Sequence, residues 1–269
     1  MKLSEATALL SSAGIENPRG EARILFREIG GIKDSELYGF DPSSDNAELT
    51  RAIELRAKRE PLQYIIGKCD FYNESYEVTP DCLIPRQDTE ILVDYAVKHL
   101  PDGARFLDLC TGSGCIAIST LKNTKNTHAT AVDLSEGALA VARRNAENTC
   151  VSDRIKFIGT DVLKTKIDGS VFAILSNPPY VTESAYAALE PEIYHEPREA
   201  FVGGADGLIF YRRITEMYKD AIPNDGFIAF EIGYDQADAL LNIAKENLLS
   251  CEIIKDYSEN DRVAILKKA

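Results

Sequence analysis

The chain has 269 residues, 45% of them hydrophobic, which suffices for one large domain with its own core and a small second domain. Its net charge of -13 at pH 7 disfavours a partner held mainly by phosphate contacts, because such binding needs clustered lysine and arginine. The N-terminal stretch has neither the basic head nor the apolar core of a signal peptide, and no apolar run is long enough to span a membrane. We therefore expect a cytoplasmic protein with neither a membrane nor a nucleic acid as its direct partner.

The six cysteines and three histidines do not indicate a metal site. No two cysteines follow the C-x-x-C spacing, so the sequence predicts neither a zinc knuckle nor a disulfide framework. His99, His128 and His195 are too far apart in the sequence to suggest a cluster. We expect reduced thiols and no bound metal.

The first part of the chain, residues 1–75, has the pattern of a small helical domain. Helices are predicted at 4–12, 18–29 and 47–60, where apolar residues recur three and four positions apart, as in Leu49, Ile53 and Ala57.

A linker region, residues 76–101, is predicted next. Short aromatic and β-branched pieces between 62 and 86 favour a hairpin, and Tyr64, Ile65 and Ile66 are assigned to it. Asp88 is the predicted N-cap of a connecting helix that ends near Pro101.

The last part of the chain, residues 102–269, alternates between strand and helix patterns. Strands are predicted at 105–109, 130–133, 155–159, 171–176 and 227–232, with helices at 115–122, 136–149, 208–222 and 236–248. This alternation predicts an α/β domain with a mostly parallel sheet that helices cover on both faces. Two further strands, at 251–256 and 262–266, predict an antiparallel pair at the end of the sheet.

A small-residue turn between the first strand and its helix indicates a ligand site. Gly112 and Gly114 let the backbone approach a ligand, and the helix start offers free N–H groups. Together with Ala117 the glycines fit the dinucleotide fingerprint, and Asp133 ends the next strand, where it can accept hydrogen bonds from ribose hydroxyls. An NAD-dependent oxidoreductase therefore remains an alternative at this point.

Polar residues at the ends of the first, third and fourth predicted strands favour a different ligand. Asp108 precedes the glycines, Asp161 follows the third strand, and Asn177 follows the fourth. The carboxyl ends of the strands in an open sheet are where ligands bind. An acidic residue before the turn repels a pyrophosphate but suits a cation, and S-adenosylmethionine carries an ammonium and a sulfonium and no phosphate.

The predicted α/β core resembles the class I S-adenosylmethionine-dependent methyltransferases. It is closer still to the PrmC/HemK family, the protein-glutamine methyltransferases of peptide-chain release factors, and the resemblance covers essentially the whole chain. The segments that carry it are 83–90, 108–114, 177–180, 196–200, 203–208 and 256–262. The resemblance implies a Rossmann-like methyltransferase sheet with a terminal antiparallel hairpin, and a small N-terminal helical domain that recognises the substrate.

The resemblance also implies the activity: methylation of the glutamine side chain in the Gly-Gly-Gln motif of class-1 release factors, with S-adenosylmethionine as the methyl donor, in translation termination. The implied cofactor-binding residues are Asp108, Cys110, Thr111, Gly112, Ser113, Gly114, Asp133, Asp161, Val162 and Asn177. The resemblance implies that residues 110–114 surround the amino-acid end, that Asp133 binds the ribose, and that Asp161 and Val162 lie at the adenine. It also implies that Arg86 and Glu90 shape the substrate entrance, and a surface ion pair is the alternative for these two residues.

The segment Asn177, Pro178, Pro179 and Tyr180 suits the chemistry of amide methylation, and we assign these residues to catalysis and substrate binding. An amide nitrogen is a poor nucleophile, so orientation and electrostatics supply most of the help. The Asn177 side-chain oxygen and the Pro178 carbonyl are the predicted acceptors for the two amide hydrogens. The prolines fix the backbone, and Tyr180 offers a flat packing face. The same geometry serves an exocyclic amine, so an adenine or guanine methyltransferase acting on nucleic acid remains the alternative.

Two positions depart from the family pattern, and one strand end stays open. Cys110 stands where the family usually has glycine, so its backbone takes a positive φ less freely. Gln87 stands where proline is usual, which affects the rigidity of the helix entry. Glu231, at the end of its strand, has either a pocket-lining or a capping role.

Overall fold

The computed structural model describes residues 1–33, 35–37 and 46–269, and the chain divides into two compact units. The first unit consists of Met1–Lys68 and Glu190–His195, and the second of Cys69–Leu189 and Glu196–Ala269. The domain bounds 1–75, 76–101 and 102–269 stay a prediction. The two compact units divide the chain after Lys68 instead, and the first unit also includes Glu190–His195.

The first unit is helical. Its helices are α1 (Leu3–Ser12), α2 (Pro18–Glu28), α3 (Ala47–Ala57) and α4 (Leu62–Ile66). Asn17 and Asn46 cap α2 and α3 by accepting hydrogen bonds from backbone N–H groups three residues on. Leu25, Phe26 and Ile53 form part of the core, and burying each contributes about 1.5–3 kcal/mol. The predicted helix at 47–60 ends earlier, at Ala57.

The segment Glu190–His195 belongs to this helical unit although it lies far along the chain. Glu192 binds two arginines, with Oε1 3.0 Å from Arg56 Nη1 and Oε2 2.7 Å from Arg59 Nη2. Arg56 is buried and also pairs with Glu21 of α2. The helical unit therefore includes six residues that the sequence pattern assigns to the predicted α/β domain, 102–269.

A two-stranded hairpin follows α4, formed by β1 (Lys68–Phe71) and β2 (Glu74–Glu77). Tyr72 and Asn73 at its turn both have positive φ, at 48° and 64°, as the tight turns that match the twist of a hairpin require. The assignment of 64–66 to the hairpin is wrong. These residues lie in α4, which begins after Pro61 and ends at Gly67 in the left-handed conformation.

The connecting helix is α5 (Glu90–His99), and a 3₁₀ turn over Gln87–Thr89 precedes it. The prediction of Asp88 as the N-cap is wrong, because Thr89 occupies that position and makes no side-chain capping bond. The Asp88 carboxylate lies instead 3.4 Å from Arg262 Nη2. The Thr89 side chain therefore does not cap the first turn of α5.

The second unit contains a seven-stranded sheet in the order β5-β4-β3-β6-β7-β9-β8. Its strands are β3 (Arg105–Leu109), β4 (His128–Asp133), β5 (Ile155–Gly159), β6 (Ala173–Ser176), β7 (Phe227–Glu231), β8 (Leu249–Lys255) and β9 (Asp261–Lys268). The first five are parallel, and β9 is antiparallel to β7 and β8. The predicted α/β class, parallel sheet and terminal antiparallel pair are confirmed.

The strand order reverses direction between β3 and β6. From β3 the chain runs outward to β4 and β5, and then returns to place β6 on the other side of β3. Leu109 pairs with Ser176 at the carboxyl ends of these two strands, so the segments that follow them start side by side. In open α/β sheets this reversal point is where ligands bind.

Helices cover both faces of this sheet. They are α5, α6 (Cys115–Asn123), α7 (Glu136–Asn148), α9 (Ile209–Tyr218) and α10 (Ala237–Glu246). A further short helix, α8 (Glu183–Tyr186), follows β6. Phe106 and Leu107, neighbours on β3, belong to separate hydrophobic clusters, because successive residues of a strand point to opposite faces. In the part of the chain that the structure describes, no helix is long and apolar enough to cross a membrane.

Candidate active site

The turn over residues 110–114, here called the cofactor turn, joins β3 to α6. Cys110, Gly112 and Gly114 all have positive φ, at 63°, 54° and 82°. Cys110 therefore adopts the conformation that its side chain disfavours. A Cβ on Gly114 would lie 3.0 Å from Ala142 Cβ, so glycine is needed for the approach of α7. A Cβ on Gly112 would meet no atom within 4 Å, so the space beside it is open to a ligand.

Asp108, at the end of β3, holds this turn from beneath and is 0% exposed. Its Oδ2 accepts hydrogen bonds from Thr111 Oγ1 at 2.5 Å and from Ala117 N at 3.1 Å. Its Oδ1 is buried and has no partner within the described residues. Burial raises the pKa of Asp108 to about 7, against the lowering effect of these two hydrogen bonds.

Asp133, at the end of β4, fixes the cofactor turn from the other side. Its Oδ2 accepts a hydrogen bond from Gly112 N at 2.8 Å, and its Oδ1 accepts one from Ser135 N at 2.9 Å. Each oxygen retains a second lone pair for a hydroxyl group. Burial raises the pKa of Asp133, while these backbone donors oppose the rise.

Asp161 and Val162 follow β5, and the structure places them together at the next position along the sheet edge. Asp161 Oδ1 accepts a hydrogen bond from Leu163 N at 2.9 Å, and Oδ2 lies 2.9 Å from Lys164 Nζ. The hydrogen bond to Lys164 lowers the pKa of Asp161, so this side chain is a carboxylate at neutral pH. Val162 is buried and supplies an apolar wall.

The segment 177–180, here called the acceptor loop, follows β6. The hydroxyl of Ser176 donates to the Leu109 carbonyl at 2.6 Å and ties the start of this loop to the start of the cofactor turn. Asn177 Nδ2 donates to Thr89 Oγ1 at 3.4 Å. The Tyr180 carbonyl accepts from Gln236 Nε2 at 3.1 Å.

Two glycines allow the chain to pass close behind the acceptor loop. A Cβ on Gly203 would lie 2.3 Å from the Pro179 carbonyl oxygen, and one on Gly207 would lie 2.2 Å from the Tyr180 carbonyl oxygen. Neither distance is possible for a real side chain. The segment 203–208, which sequence reasoning gave no structural role, therefore serves as the backing of the acceptor loop.

Glu231, at the end of β7, links the two ends of the acceptor loop. It binds Tyr180 directly, and it binds Thr89, which in turn accepts from Asn177. Its Oε2 accepts from Thr89 Oγ1 at 2.5 Å, and its Oε1 accepts from the Tyr180 hydroxyl at 3.5 Å. Glu231 and Thr89 are each 2% exposed. Burial raises the pKa of Glu231 to about 7. Sequence reasoning left the role of Glu231 undecided and did not assign Thr89 to the site. The signal for Thr89 was a polar side chain at the start of α5 that does not cap this helix.

A cavity of about 610 Å³ connects these segments, a size typical of small-molecule sites. Seven of the residues assigned to the site line it: Cys110, Gly112, Asp133, Asp161, Val162, Asn177 and Pro179. Asp108, Thr111, Ser113, Gly114, Pro178 and Tyr180 are not among its lining residues. Cys82, Glu183 and Arg198 also line the cavity, and sequence reasoning did not assign them.

Arg86 and Glu90 are held by other partners and do not line this cavity. Arg86 pairs with the buried carboxylate of Glu196, whose Oε2 also accepts from Ile84 N at 2.9 Å. Glu90 Oε1 accepts from Tyr72 N at 2.8 Å and so fixes the turn of the hairpin. Their role at a substrate entrance stays a prediction.

Comparison with known proteins gives the family. The model of the PrmC N-terminal domain matches residues 2–67, and the model of the methyltransferase small domain matches residues 87–209. The release factor glutamine methyltransferase of Thermodesulfovibrio yellowstonii is 40% identical over 93% of this chain and 92% of its own length. The chain belongs to the release factor glutamine methyltransferase family.

A second relative in this family supports the same assignment. The release factor glutamine methyltransferase of Geobacter sulfurreducens is 36% identical over 94% of this chain and 91% of its own length. The structure of a ribosomal protein L11 methylase from Lactobacillus delbrueckii superposes with a TM-score of 0.52. It is 18% identical over 71% of this chain and 84% of that chain, which shows the fold alone. The predicted family, the methyltransferase fold and the assignment as a methyltransferase enzyme are thus confirmed.

Proposed function

We propose that this protein methylates the side-chain amide nitrogen of the glutamine in the Gly-Gly-Gln motif of class-1 peptide-chain release factors, with S-adenosylmethionine as the methyl donor. The observation that carries the proposal is the state of Asn177, which lines the cavity while its Nδ2 is engaged by Thr89. Among the described residues, the structure shows no donor to its Oδ1. An amide held by its nitrogen offers an oxygen acceptor to a substrate N–H group.

The residues around the cavity fit S-adenosylmethionine. The unpaired, buried Oδ1 of Asp108 suits a cationic group, and the open space at Gly112 admits a ligand close to the backbone. Asp133 retains lone pairs for ribose hydroxyls, while Asp161 and Val162 offer an acceptor and an apolar wall for the adenine. When bound, the cofactor supplies an electrophilic methyl group.

The acceptor loop then orients the substrate amide. The Asn177 Oδ1 and the Pro178 carbonyl hold the two N–H groups, which aims the nitrogen lone pair away from the loop. Tyr180 supplies a flat face for the planar amide. Burial, followed by the charge of Glu231, raises the pKa of Tyr180, so its phenol keeps its proton and takes no part as a base. Orientation, and not deprotonation before transfer, is the contribution of these residues.

We also propose that the partner is the release factor itself and that the reaction takes place in the cytoplasm. Six free thiols suit a reducing compartment. The net charge of -13 opposes a direct hold on nucleic acid, which the amino-methyltransferase alternative requires. No contact of the described residues favours that alternative.

The direct test is methyl transfer to purified release factors. The protein is incubated with labelled S-adenosylmethionine and a class-1 release factor, and the labelled residue is mapped by mass spectrometry after digestion. We expect one methyl group on the glutamine of the Gly-Gly-Gln motif. A release factor with that glutamine replaced by alanine is the matched control and should take up no label. Label on nucleic acid, or on other release-factor residues only, would overturn the proposal.

A further inference from the structure

The proposed methyl transfer uses Asn177 as held by Thr89, but it gives no role to Glu231, which continues this buried hydrogen-bond chain beneath the acceptor loop. This hydrogen-bond chain runs from Asn177 Nδ2 to Thr89 Oγ1, and from the Thr89 hydroxyl to Glu231 Oε2. Thr89 and Glu231 do not line the cavity. A buried carboxyl placed beneath a reactive loop needs an explanation, because burying it costs free energy.

We propose that Glu231 is a positioning residue that acts through Thr89 to fix which end of the Asn177 amide faces the substrate. The inference rests on the proposed function, since it assumes an amide N–H substrate. Glu231 does not touch the reacting atoms. It determines which group donates and which group accepts in each hydrogen bond of the chain.

The direction follows from the chemistry of the three groups. An ionised carboxylate only accepts hydrogen bonds, so the single proton of the Thr89 hydroxyl points to Glu231. The Thr89 oxygen can then only accept from Asn177, which must present its Nδ2 there and its Oδ1 to the cavity. An inverted amide would turn an NH₂ group toward the NH₂ group of the substrate, and two donors repel.

Protonation of Glu231 reverses this order. A protonated carboxyl can donate to the Thr89 oxygen, which frees the Thr89 hydroxyl to donate to Asn177 Oδ1 and turns Nδ2 toward the cavity. Four charged or titratable groups bear on this carboxyl or its main chain. Arg262 on β9 favours the ionised form, and Asp88 in the 3₁₀ turn disfavours it. The Tyr180 hydroxyl donates to Oε1 and the Tyr211 hydroxyl of α9 to the Glu231 carbonyl.

Burial raises the pKa of Glu231 to about 7, so the reversal falls within an accessible pH range. We expect the turnover number at saturating S-adenosylmethionine and release factor to fall as the pH drops through about 7. Measurement at saturating concentrations separates this effect from a pH effect on cofactor binding near Asp108. The reason is that the pH dependence of kcat reports ionisations in the enzyme–substrate complex. In Glu231→Gln this inflection should disappear.

Two uncharged variants of Thr89 form a matched pair that leaves the net charge of the site unchanged. Thr89→Val removes the hydroxyl at nearly constant shape and should lower kcat roughly 30- to 100-fold, the scale of a misoriented reactive group. The release-factor KM and the S-adenosylmethionine Kd should stay within about threefold, because neither partner touches Thr89. Thr89→Ser keeps the hydroxyl and should recover most of the turnover. Since Thr89 makes no side-chain cap at α5, helix loss does not account for the difference.

A control variant tests whether any buried threonine behaves in this way. Thr215 in α9 is buried, and its hydroxyl has no partner among the described residues. Thr215→Val should therefore leave kcat unchanged. Equal losses in Thr89→Val and Thr215→Val, or a full rate in Thr89→Val, would overturn the inference.

An NMR readout separates this inference from the proposed function. The Asn177 side-chain ¹⁵N–¹H₂ signals, assigned by their loss in Asn177→Ala, should shift between pH 6 and about 8 in the native protein. The shift should be absent in Glu231→Gln and in Thr89→Val. If the native protein transfers no methyl group to release factors, the proposed function fails and the NMR titration alone decides the positioning. Signals that ignore pH, or that titrate equally in Thr89→Val, would overturn it.

Discussion

The cofactor turn and the acceptor loop follow neighbouring strands, and each rests on a buried carboxyl whose pKa burial raises to about 7. Asp108 holds the cofactor turn through Thr111 and Ala117, which are three and nine residues away. Glu231 holds the acceptor loop through Thr89 and Tyr180, which are 142 and 51 residues away. One support is local in sequence, and the other joins three distant segments.

This difference predicts that substitutions in the two regions affect different properties. The cofactor turn can form from its own strand and helix, so changes there should affect mainly cofactor affinity and local stability. The acceptor loop depends on the 3₁₀ turn before α5, on β7 and on the glycines behind it, so changes there should affect mainly turnover. Substitutions at four positions test this division.

The largest effect is expected at Asn177 in the acceptor loop. Asn177→Ala removes one substrate acceptor and should lower kcat by about 10³, as the loss of one preorganised polar group does in other enzymes. Calorimetry should show S-adenosylmethionine affinity within about twofold of the native value. The exposed Asn148→Ala serves as the control and should be unchanged. A rate within about tenfold of normal would refute the acceptor role.

The next effect is expected at Asp133, beside the cofactor turn. Asp133→Ala removes the acceptor for two backbone N–H groups and the proposed ribose contact, so S-adenosylmethionine affinity should fall by about 30- to 100-fold, or 2–3 kcal/mol. At saturating cofactor, kcat should change much less. Titration calorimetry measures the affinity, with the exposed Asp153→Ala as control. Unchanged affinity would remove Asp133 from the cofactor site.

A pH effect on stability is expected from Asp108. Its folded pKa of about 7 lies above the ordinary 3.8, so the folded state holds a proton that the unfolded state releases. The free energy of unfolding should therefore fall as the pH rises from about 4 to about 7, and level off above that. Asp108→Asn should reduce this slope in urea titrations without cofactor. Glu231 adds a slope of the same sign, which remains.

The control for Asp108 is Asp153→Asn, the same substitution at an exposed position. Added S-adenosylmethionine should stabilise the native protein more at pH 8 than at pH 6, because an ionised Asp108 attracts a cation better. Equal slopes in the native protein and Asp108→Asn would contradict the assignment of the proton to this carboxyl.

The smallest effect is expected at Cys110. Cys110→Gly relieves the positive φ of 63° but adds freedom to the unfolded chain, so the free energy of unfolding should change by less than about 1 kcal/mol. Cys110→Val, with a branched Cβ, should destabilise by about 1–3 kcal/mol. Thermal denaturation measures both. Cys150→Gly is the control. Cys150 is exposed and also has a positive φ, of 59°, but it does not line the cavity.

Local patterns in the sequence predicted the features that depend on local physics. The strand bounds at 105–109 and 155–159 match the structure, because each strand is a short segment rich in Leu, Ile and Phe between turn residues. The juxtaposition of the cofactor turn and the acceptor loop followed from the rule that ligands bind at the carboxyl ends of parallel strands. Seven assigned residues do line one cavity.

The missed features depend on contacts between distant segments. No spacing pattern connects Thr89 with Glu231, since only the sheet order brings the 3₁₀ turn and β7 together. Asp88 resembled an N-cap by residue type, but its carboxylate lies beside Arg262 and the helix begins one residue later. Tyr64, Ile65 and Ile66 have strand propensity, yet the breaks at Pro61 and Gly67 enclose a single helical turn.

The assignment of Glu190–His195 to the helical unit has a consequence for protein engineering. The chain crosses between the two units at three points, after Lys68, after Leu189 and after His195. A catalytic fragment that begins at Cys69 therefore still carries a piece of the missing unit, with Glu192 deprived of both arginines. The helical domain is not a detachable module, and a chimera that exchanges it must exchange the segment after the acceptor loop with it.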